Sequence, residues 1–220
     1  MKKIMFNDKF GLTKAVIEGR KTQTRRIVPK NFFSLTWDEK NGTLWYENSM
    51  GDFIDVRNSK YALYKVGEVS AVAQSYCSIA EELENSNNAT CAAHYEKNVQ
   101  KASEYISWME HPGFNNKMFV AADMMIHQIL ITDVRVERLQ DISGNDCLKE
   151  GVVVNEPKIK GGINMYYPCE YLRSCAKEVG WGRVFHTPRE AFAHLINKVS
   201  RKDVWEENPY VFVYDFELVK

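Results

Sequence analysis

Residues 19–26 read GRKTQTRR, and no other stretch of eight residues in the chain is so rich in groups that can bind a polar ligand. The stretch holds four cations, Arg20, Lys21, Arg25 and Arg26. If the segment is extended, its side chains alternate between two faces. One face then carries Thr22, Thr24 and Arg26, and the other carries Lys21, Gln23 and Arg25.

The residues before this stretch predict a strand at 3–6 and then a helix. Asn7 and Asp8 offer capping oxygens, the apolar residues Leu12, Ala15 and Val16 fall on one helical face, and Gly19 ends the helix. Cations that follow a helix C-terminus are favoured by the helix dipole and need no further purpose. From the residues alone, a solvated helix end and a binding segment both stay open.

Further elements follow from the pattern of apolar residues. Strands are predicted at 68–76, 127–139 and 210–219, with a bend between Ile131 and Val134, and a hairpin is predicted at 43–57. The apolar stripe from Tyr95 to Met109 predicts an amphipathic helix within 78–110. Residues 152–186 show no clear periodicity and are predicted to be irregular. This order of elements indicates an α+β fold.

Two helix boundaries carry strong local signals. Thr187, Pro188 and Glu190 form the pattern of a capping box, with proline at the first helical position, so a helix should run from there to about Ser200. Ser143 is the expected N-cap of a shorter helix that Gly151 ends, which places Glu150 at a helix terminus.

Composition restricts the class of protein. With 220 residues, 45% of them hydrophobic, the chain can form one domain with a sizeable core, and insertions are expected at about 77–112 and 152–186. The 29 basic residues balance the 29 acidic ones, so any contact with nucleic acid must be local. Five cysteines without metal-ligand spacing argue against zinc and a disulfide framework. We expect a cytoplasmic protein without metal, other cofactor or membrane segment.

Several stretches together resemble the ASCH-domain family of the PUA-like superfamily. GRKTQTRR is similar to the GxKTxTxR signature that opens these domains, and residues 64–69, YKVGEV, resemble the family's turn and strand around VGD. Residues 138–151, from RLQDIS to EG, resemble its LqdIseeDAxxEG segment. The ending WEENPYVFV, residues 205–213, resembles a larger subgroup common in phage and prophage genomes.

The resemblance implies a PUA-like mixed β-barrel with flanking helices and a helical insertion. Some small members of the family are amidohydrolases that remove the acetyl group from acetylcytidine, and their catalytic positions correspond to Lys21, Thr24 and Glu150. A threonine hydroxyl becomes a nucleophile only when a neighbouring base takes its proton, and a glutamate suits proton transfer. We therefore expect these three side chains to converge on one polar cleft.

The same resemblance predicts the residues that bind a substrate. The predicted substrate-binding residues are Arg20, Thr22, Arg25, Arg26 and Tyr76. The clustered cations Arg20, Lys21, Arg25 and Arg26 should make the face of the cleft basic. The expected ligand is RNA or a modified nucleoside. Recognition of a nucleobase, with amidohydrolase activity as an added step, is the leading hypothesis. A non-catalytic RNA-binding module, or a phage structural protein that binds a partner, is the alternative, and the sequence does not determine the oligomeric state.

Overall fold

A computed structural model describes residues 1–30, 34–85, 112–156, 162–179 and 184–219. Ten strands are found in these ranges. They are β1 (Lys2–Ile4), β2 (Gln23–Ile27), β3 (Leu35–Asp38), β4 (Thr43–Glu47), β5 (Phe53–Asp55), β6 (Val69–Val72), β7 (Gln128–Arg138), β8 (Val153–Asn155), β9 (Met165–Tyr167) and β10 (Tyr210–Val219).

The α-helices of the described ranges follow the same order along the chain. They are α1 (Leu12–Ile17), α2 (Tyr76–Asn85), α3 (Gly144–Lys149), α4 (Glu170–Val179), α5 (Pro188–Ser200) and α6 (Val204–Glu207). The predicted α+β class is confirmed. Over the described residues the sheets are open, and no closed barrel is formed among them.

The chain divides into two compact units. The first contains Met1–Phe6, Val69–Leu130 and Leu218–Lys220, and the second contains Asn7–Glu68 and Ile131–Glu217. Strand β7 begins in the first unit and continues in the second. The sequence-based expectation of a single domain stays a prediction.

In the first unit, β6 lies between β1 and the beginning of β7. It pairs in parallel with β1, where Ile4 faces Val72, and antiparallel with β7, where Val69 faces Leu130. Helix α2 follows directly and begins at Tyr76. The core is built from small and sulfur-containing side chains together with Tyr76 and Ile79. This unit therefore buries Tyr76, which the sequence suggested as a substrate-binding residue.

In the second unit, β10 lies between β7 and β2. It pairs antiparallel with β2, so that Tyr214 faces Thr24 and Val213 faces Arg25. Its dense β-forming sequence predicted a central position, and its residues from Val211 to Tyr214 are all buried. Two smaller antiparallel sheets, β3-β4-β5 and β8-β9, belong to the same unit.

The core of the second unit forms where helices α3 and α5 pack against strand β10. Leu139, Cys147, Phe192 and Val213 are among its buried residues, and Trp205 packs against it with an edge-to-face ring contact to Phe192. The alternation of buried and exposed residues changes phase in β7 where the sequence predicts a bend, because Ile131 and Val134 are buried while the two residues between them are exposed. Because of this change of phase, apolar side chains are buried both before and after the two exposed residues.

Residues 152–186 are a correction to the sequence analysis. The segment was predicted to be irregular, but it contains the hairpin β8-β9 and helix α4. The two strands have three residues each, which is too short to show a period, and Tyr166 pairs with both Val154 and Phe185. The amphipathic stripe from Tyr95 to Met109 lies outside the described residues.

The capping box of α5 should contribute measurably to stability. Thr187 accepts a hydrogen bond from the backbone of Glu190, and the Glu190 side chain accepts one from the backbone of Thr187. Replacing Thr187 by alanine removes one of these bonds and should lower the free energy of unfolding by about 1 kcal/mol. Thr187→Ser keeps the hydroxyl and is the matched control in urea denaturation. Equal stability of the two variants would contradict a role for the cap.

Candidate functional site

Lys21 is brought into the interior by the way in which α1 ends. The chain turns at Gly19, whose φ of 71° is left-handed, and the Lys21 amide donates to the Ala15 carbonyl over 2.9 Å. Lys21 Nζ then donates to three acceptors. They are the backbone oxygens of Gln23 at 2.7 Å and Glu150 at 2.9 Å and the Glu150 carboxylate Oε2 at 2.6 Å. All three N–H groups of the ammonium are thus used.

Glu150 reaches Lys21 because α3 ends at a glycine. Ser143 caps the start of α3 as predicted, Glu150 is its C-cap, and Gly151 has a φ of 106°. A Cβ atom at Gly151 would stand 3.3 Å from Leu12 Cδ2, so a side chain at this position would press on Leu12 in addition to straining the left-handed backbone. The terminal glycine therefore allows the end of α3 to approach α1 and the Lys21 side chain closely.

Lys21 and Glu150 form a buried ion pair, although 129 residues separate them in sequence. Only 2% of the Lys21 side chain and 6% of the Glu150 side chain are exposed. The second carboxylate oxygen of Glu150 accepts from Arg25 Nη1 at 3.0 Å. Each oxygen of Glu150 is therefore bound by a different cation.

Arg25 links this pair to a wider network. Its side chain is 1% exposed, and its guanidinium donates to Glu137 at 2.6 Å and to the Gln23 side chain at 2.5 Å. Gln23 in turn donates to Asp215 at 2.6 Å and to Asp146 at 3.2 Å. Lys21, Gln23 and Arg25 thus contact one set of partners, as the predicted alternation of residues 19–26 requires.

The network carries slightly more negative than positive charge. Arg135 joins it through Asp215 and Asp146, so the cations Lys21, Arg25 and Arg135 face the anions Glu137, Asp146, Glu150 and Asp215. The expected basic face is therefore wrong for Lys21 and Arg25, because buried carboxylates neutralise both. The pair is also buried instead of lining an open cleft.

Burial governs the ionisation of this region. Burial lowers the pKa of Lys21, and the charges of Arg26 and Arg25 act in the same direction, whereas the Glu150 carboxylate opposes them. Burial also raises the pKa of the Cys147 thiol to about 12, so this cysteine beside the network stays protonated at neutral pH. Cys147 is thus a core residue and not a nucleophile.

Thr24 lies on the other face of β2. Side chains of a strand alternate, so Thr24 points away from the face of Gln23 and Arg25 and lies beside Tyr214, its partner on β10. Tyr214 is fully buried and makes an edge contact with Tyr64 at 5.3 Å. The structure therefore brings Lys21 and Glu150 into contact and assigns Thr24 to a separate face with two tyrosines.

The predicted substrate-binding residues are spread over different surroundings. Arg20 is exposed and pairs with Glu18. Thr22 is half-buried, and its backbone bonds to Lys149 and Phe216 hold the start of β2 in place. Arg26 is half-buried, and its charge lowers the pKa of both Tyr64 and Tyr214 against the larger effect of burial, which raises it. Tyr76 belongs to the core of the first unit.

Sequence reasoning missed four charged members of the network, namely Arg135, Glu137, Asp146 and Asp215. One signal was present in β7. Arg135 and Glu137 alternate with the buried Val134 and Val136, so two opposite charges share the second face of a long strand. Charged side chains that alternate with buried valines indicate that the second face of β7 is polar. The sequence does not show which residues these charges pair with.

Asp146 makes the network sensitive to acid. Burial alone raises the pKa of Asp146, but hydrogen bonds from Ser143 and Gln23 and the charges of Arg135 and Arg25 outweigh it and lower the pKa below the usual 3.8. Asp146 in the unfolded chain therefore takes up a proton first as the pH falls. Its contribution to stability is complete above pH 3.8 and is lost as the pH falls through the lower pKa of the folded state.

We expect the free energy of unfolding to fall as the pH is lowered from neutrality through 3.8 and below. The measurement is urea denaturation across this range. Asp146→Asn, which cannot ionise, should show a smaller slope of stability against pH. Asp141→Asn removes an exposed carboxylate outside the network and is the matched control. Identical slopes for wild type and Asp146→Asn would contradict this role.

The described residues contain no cluster of three or more histidine, cysteine or acidic side chains that could hold a metal ion. Cys77, Cys147 and Cys169 form no disulfide bond within these residues. None of the helices in the described ranges is long and apolar enough to cross a membrane. Comparisons with protein-family models, with curated proteins and with solved structures found no match.

Proposed function

We propose that this chain is an ASCH-like protein of PUA-like fold that recognises a nucleobase in a modified nucleoside or in RNA. The contact between Lys21 and Glu150 carries the proposal. It joins the two stretches, residues 19–26 and 138–151, on which the resemblance to that family mainly depends. Because taking two charges out of water is costly unless they are paired, the pair fixes these two stretches against one another.

Binding is favoured over hydrolysis by the way Lys21 and Glu150 are occupied. The ammonium already donates three hydrogen bonds, and each carboxylate oxygen already accepts from a cation. A residue that takes a proton from a nucleophile needs an accessible acceptor within hydrogen-bond distance of it. In this arrangement Lys21 and Glu150 chiefly hold β2 against the end of α3, and so position the Thr24 face of the strand.

Amide hydrolysis is the second candidate, and one observation favours it. Burial lowers the pKa of Lys21, which makes the neutral amine more accessible as a base. In that reaction the Thr24 hydroxyl would attack the acetyl carbonyl of the nucleoside and give up its proton to Lys21, which requires β2 to turn, because Thr24 lies on the face opposite to the Lys21 network. Lys21 would pass this proton through the Glu150 carboxylate, which it contacts at Oε2, to the leaving amine of cytidine. Water would then cleave the acetyl ester on Thr24, releasing acetate and restoring the hydroxyl.

Titration calorimetry with cytidine and acetylcytidine tests the proposal directly, and chromatography of the same mixtures detects released cytidine. We expect saturable binding by the wild type and weaker binding by Thr24→Val. Thr132→Val makes the same substitution at an exposed position of β7 and should bind like the wild type. If neither nucleoside binds the wild type at any attainable concentration, the proposed recognition of a nucleoside is wrong.

A further inference from the structure

A second group of planar side chains lies where β7 ends and β10 begins. Arg138 is the last residue of β7, and its guanidinium carbon lies 3.7 Å from the centre of the Tyr210 ring. Trp37 of β3 stacks on Tyr210 with a distance of 5.7 Å between ring centres and an angle of 21° between the planes. Tyr210 is thus in contact with a cation and a second aromatic ring, both of which hold its plane in one orientation.

A hollow of about 340 Å³ lies beside this stack. Its apolar wall includes Val28, Leu35 and Pro209, and its polar side includes Arg138 and Lys30. The volume falls in the lower part of the range for small-ligand sites. A flat ring system with an anionic substituent would therefore match both the size and the chemistry of the hollow.

The charge of Arg138 is available to a ligand. Its guanidinium donates to the Asn208 carbonyl at 3.2 Å, and no carboxylate among the described residues pairs with it. Lys30 pairs with Glu207 at 3.1 Å, but the two side chains are 83% and 51% exposed, and such pairs contribute little. Arg138, Lys30 and Glu207 together give the hollow one net positive charge. The contact with the Tyr210 ring fixes the position of the Arg138 guanidinium.

We propose that this hollow binds one base of a single-stranded RNA, with the base stacked on the Arg138 guanidinium plane that Tyr210 supports. Lys30 then contacts a neighbouring phosphate. Single-stranded RNA is commonly bound by stacking its bases on aromatic rings and on arginine guanidinium planes. The inference takes its class of ligand from the proposed function, but it concerns residues that the Lys21 network does not contain.

Fluorescence anisotropy with a labelled oligouridine of about eight nucleotides, within the usual site size of such proteins, tests this inference. Arg138→Ala should weaken binding about 5- to 150-fold, the range found when a stacking side chain is removed. Arg138→Lys keeps the charge but loses the plane, so most of this loss should remain while the dependence on salt stays unchanged. Lys30→Ala should reduce the slope of log affinity against log salt by about one.

Arg201→Ala is the matched control, because it removes an exposed arginine outside the hollow. Thermal unfolding of each variant establishes that it is folded. If Arg138→Ala and Arg201→Ala have the same effect, or if the wild type binds no RNA, the inference is wrong. The inference is equally wrong if the hollow binds a proline-rich peptide in place of RNA.

These outcomes separate the inference from the proposed function. Binding of acetylcytidine without binding of RNA would support the nucleoside site and contradict the RNA site in the hollow. Binding of RNA that depends on Arg138, without binding of acetylcytidine, would support the RNA site in the hollow and contradict the proposed recognition of a nucleoside.

Discussion

Replacing Lys21 by methionine should lower the free energy of unfolding by about 3–5 kcal/mol, the usual effect of breaking a buried ion pair from one side. The substitution leaves one oxygen of the Glu150 carboxylate without its cation. It also leaves the backbone oxygens of Gln23 and Glu150 without the donor that they share. Methionine has similar length, so the loss reflects uncompensated polar groups and not a cavity. Urea denaturation followed by circular dichroism measures it.

The neighbouring Arg20 provides the control for this prediction. Arg20→Met removes the adjacent cation, but the ion pair of Arg20 with Glu18 is exposed, so the expected loss is only about 0–1 kcal/mol. The double variant Lys21→Met with Glu150→Leu should be less destabilised than the two single changes added together, because it removes both charges. If Lys21→Met were as stable as Arg20→Met, the pair would not hold the two segments together.

The second large effect concerns turnover of acetylcytidine. If the chain hydrolyses this nucleoside, Thr24→Val should abolish turnover, because valine keeps the branched shape and lacks the nucleophilic hydroxyl. Thr24 lies beside Tyr214 on a buried face, and the change adds no polar group, so the folded state should survive. Release of cytidine, measured by chromatography, and thermal unfolding of the same samples give the two quantities that the prediction needs.

Glu150→Gln should reduce turnover about 100- to 10,000-fold if Glu150 transfers a proton, which corresponds to about 3–5 kcal/mol of transition-state stabilisation. The substitution also weakens the ion pairs with Lys21 and Arg25, so rates must be compared at temperatures where both proteins are fully folded. Activity of both Thr24→Val and Glu150→Gln at the wild-type rate would show that these residues are not catalytic. A wild type that binds but never hydrolyses acetylcytidine would leave recognition as the function.

The local elements of this protein follow from short-range patterns in the sequence. The capping box at Thr187, the helix end at Gly151 and the strand at 210–219 each depend on neighbours within a few residues, and each lies where it was predicted. The alternation of residues 19–26 also predicted that Lys21, Gln23 and Arg25 lie on one face, and these three side chains belong to one network. These features need only backbone geometry and the period of the side chains.

Only the tertiary structure decided what those side chains contact. The four cations of residues 19–26 suggested a basic surface, whereas folding buries Lys21 and Arg25 against carboxylates from β7 and α3. A buried charge requires a partner, but that partner can come from any distance along the chain. The same holds for Arg138, Tyr210 and Trp37, which meet through the packing of three separate strands. Sequence periodicity defines the face of each residue, and long-range packing selects the partner on that face.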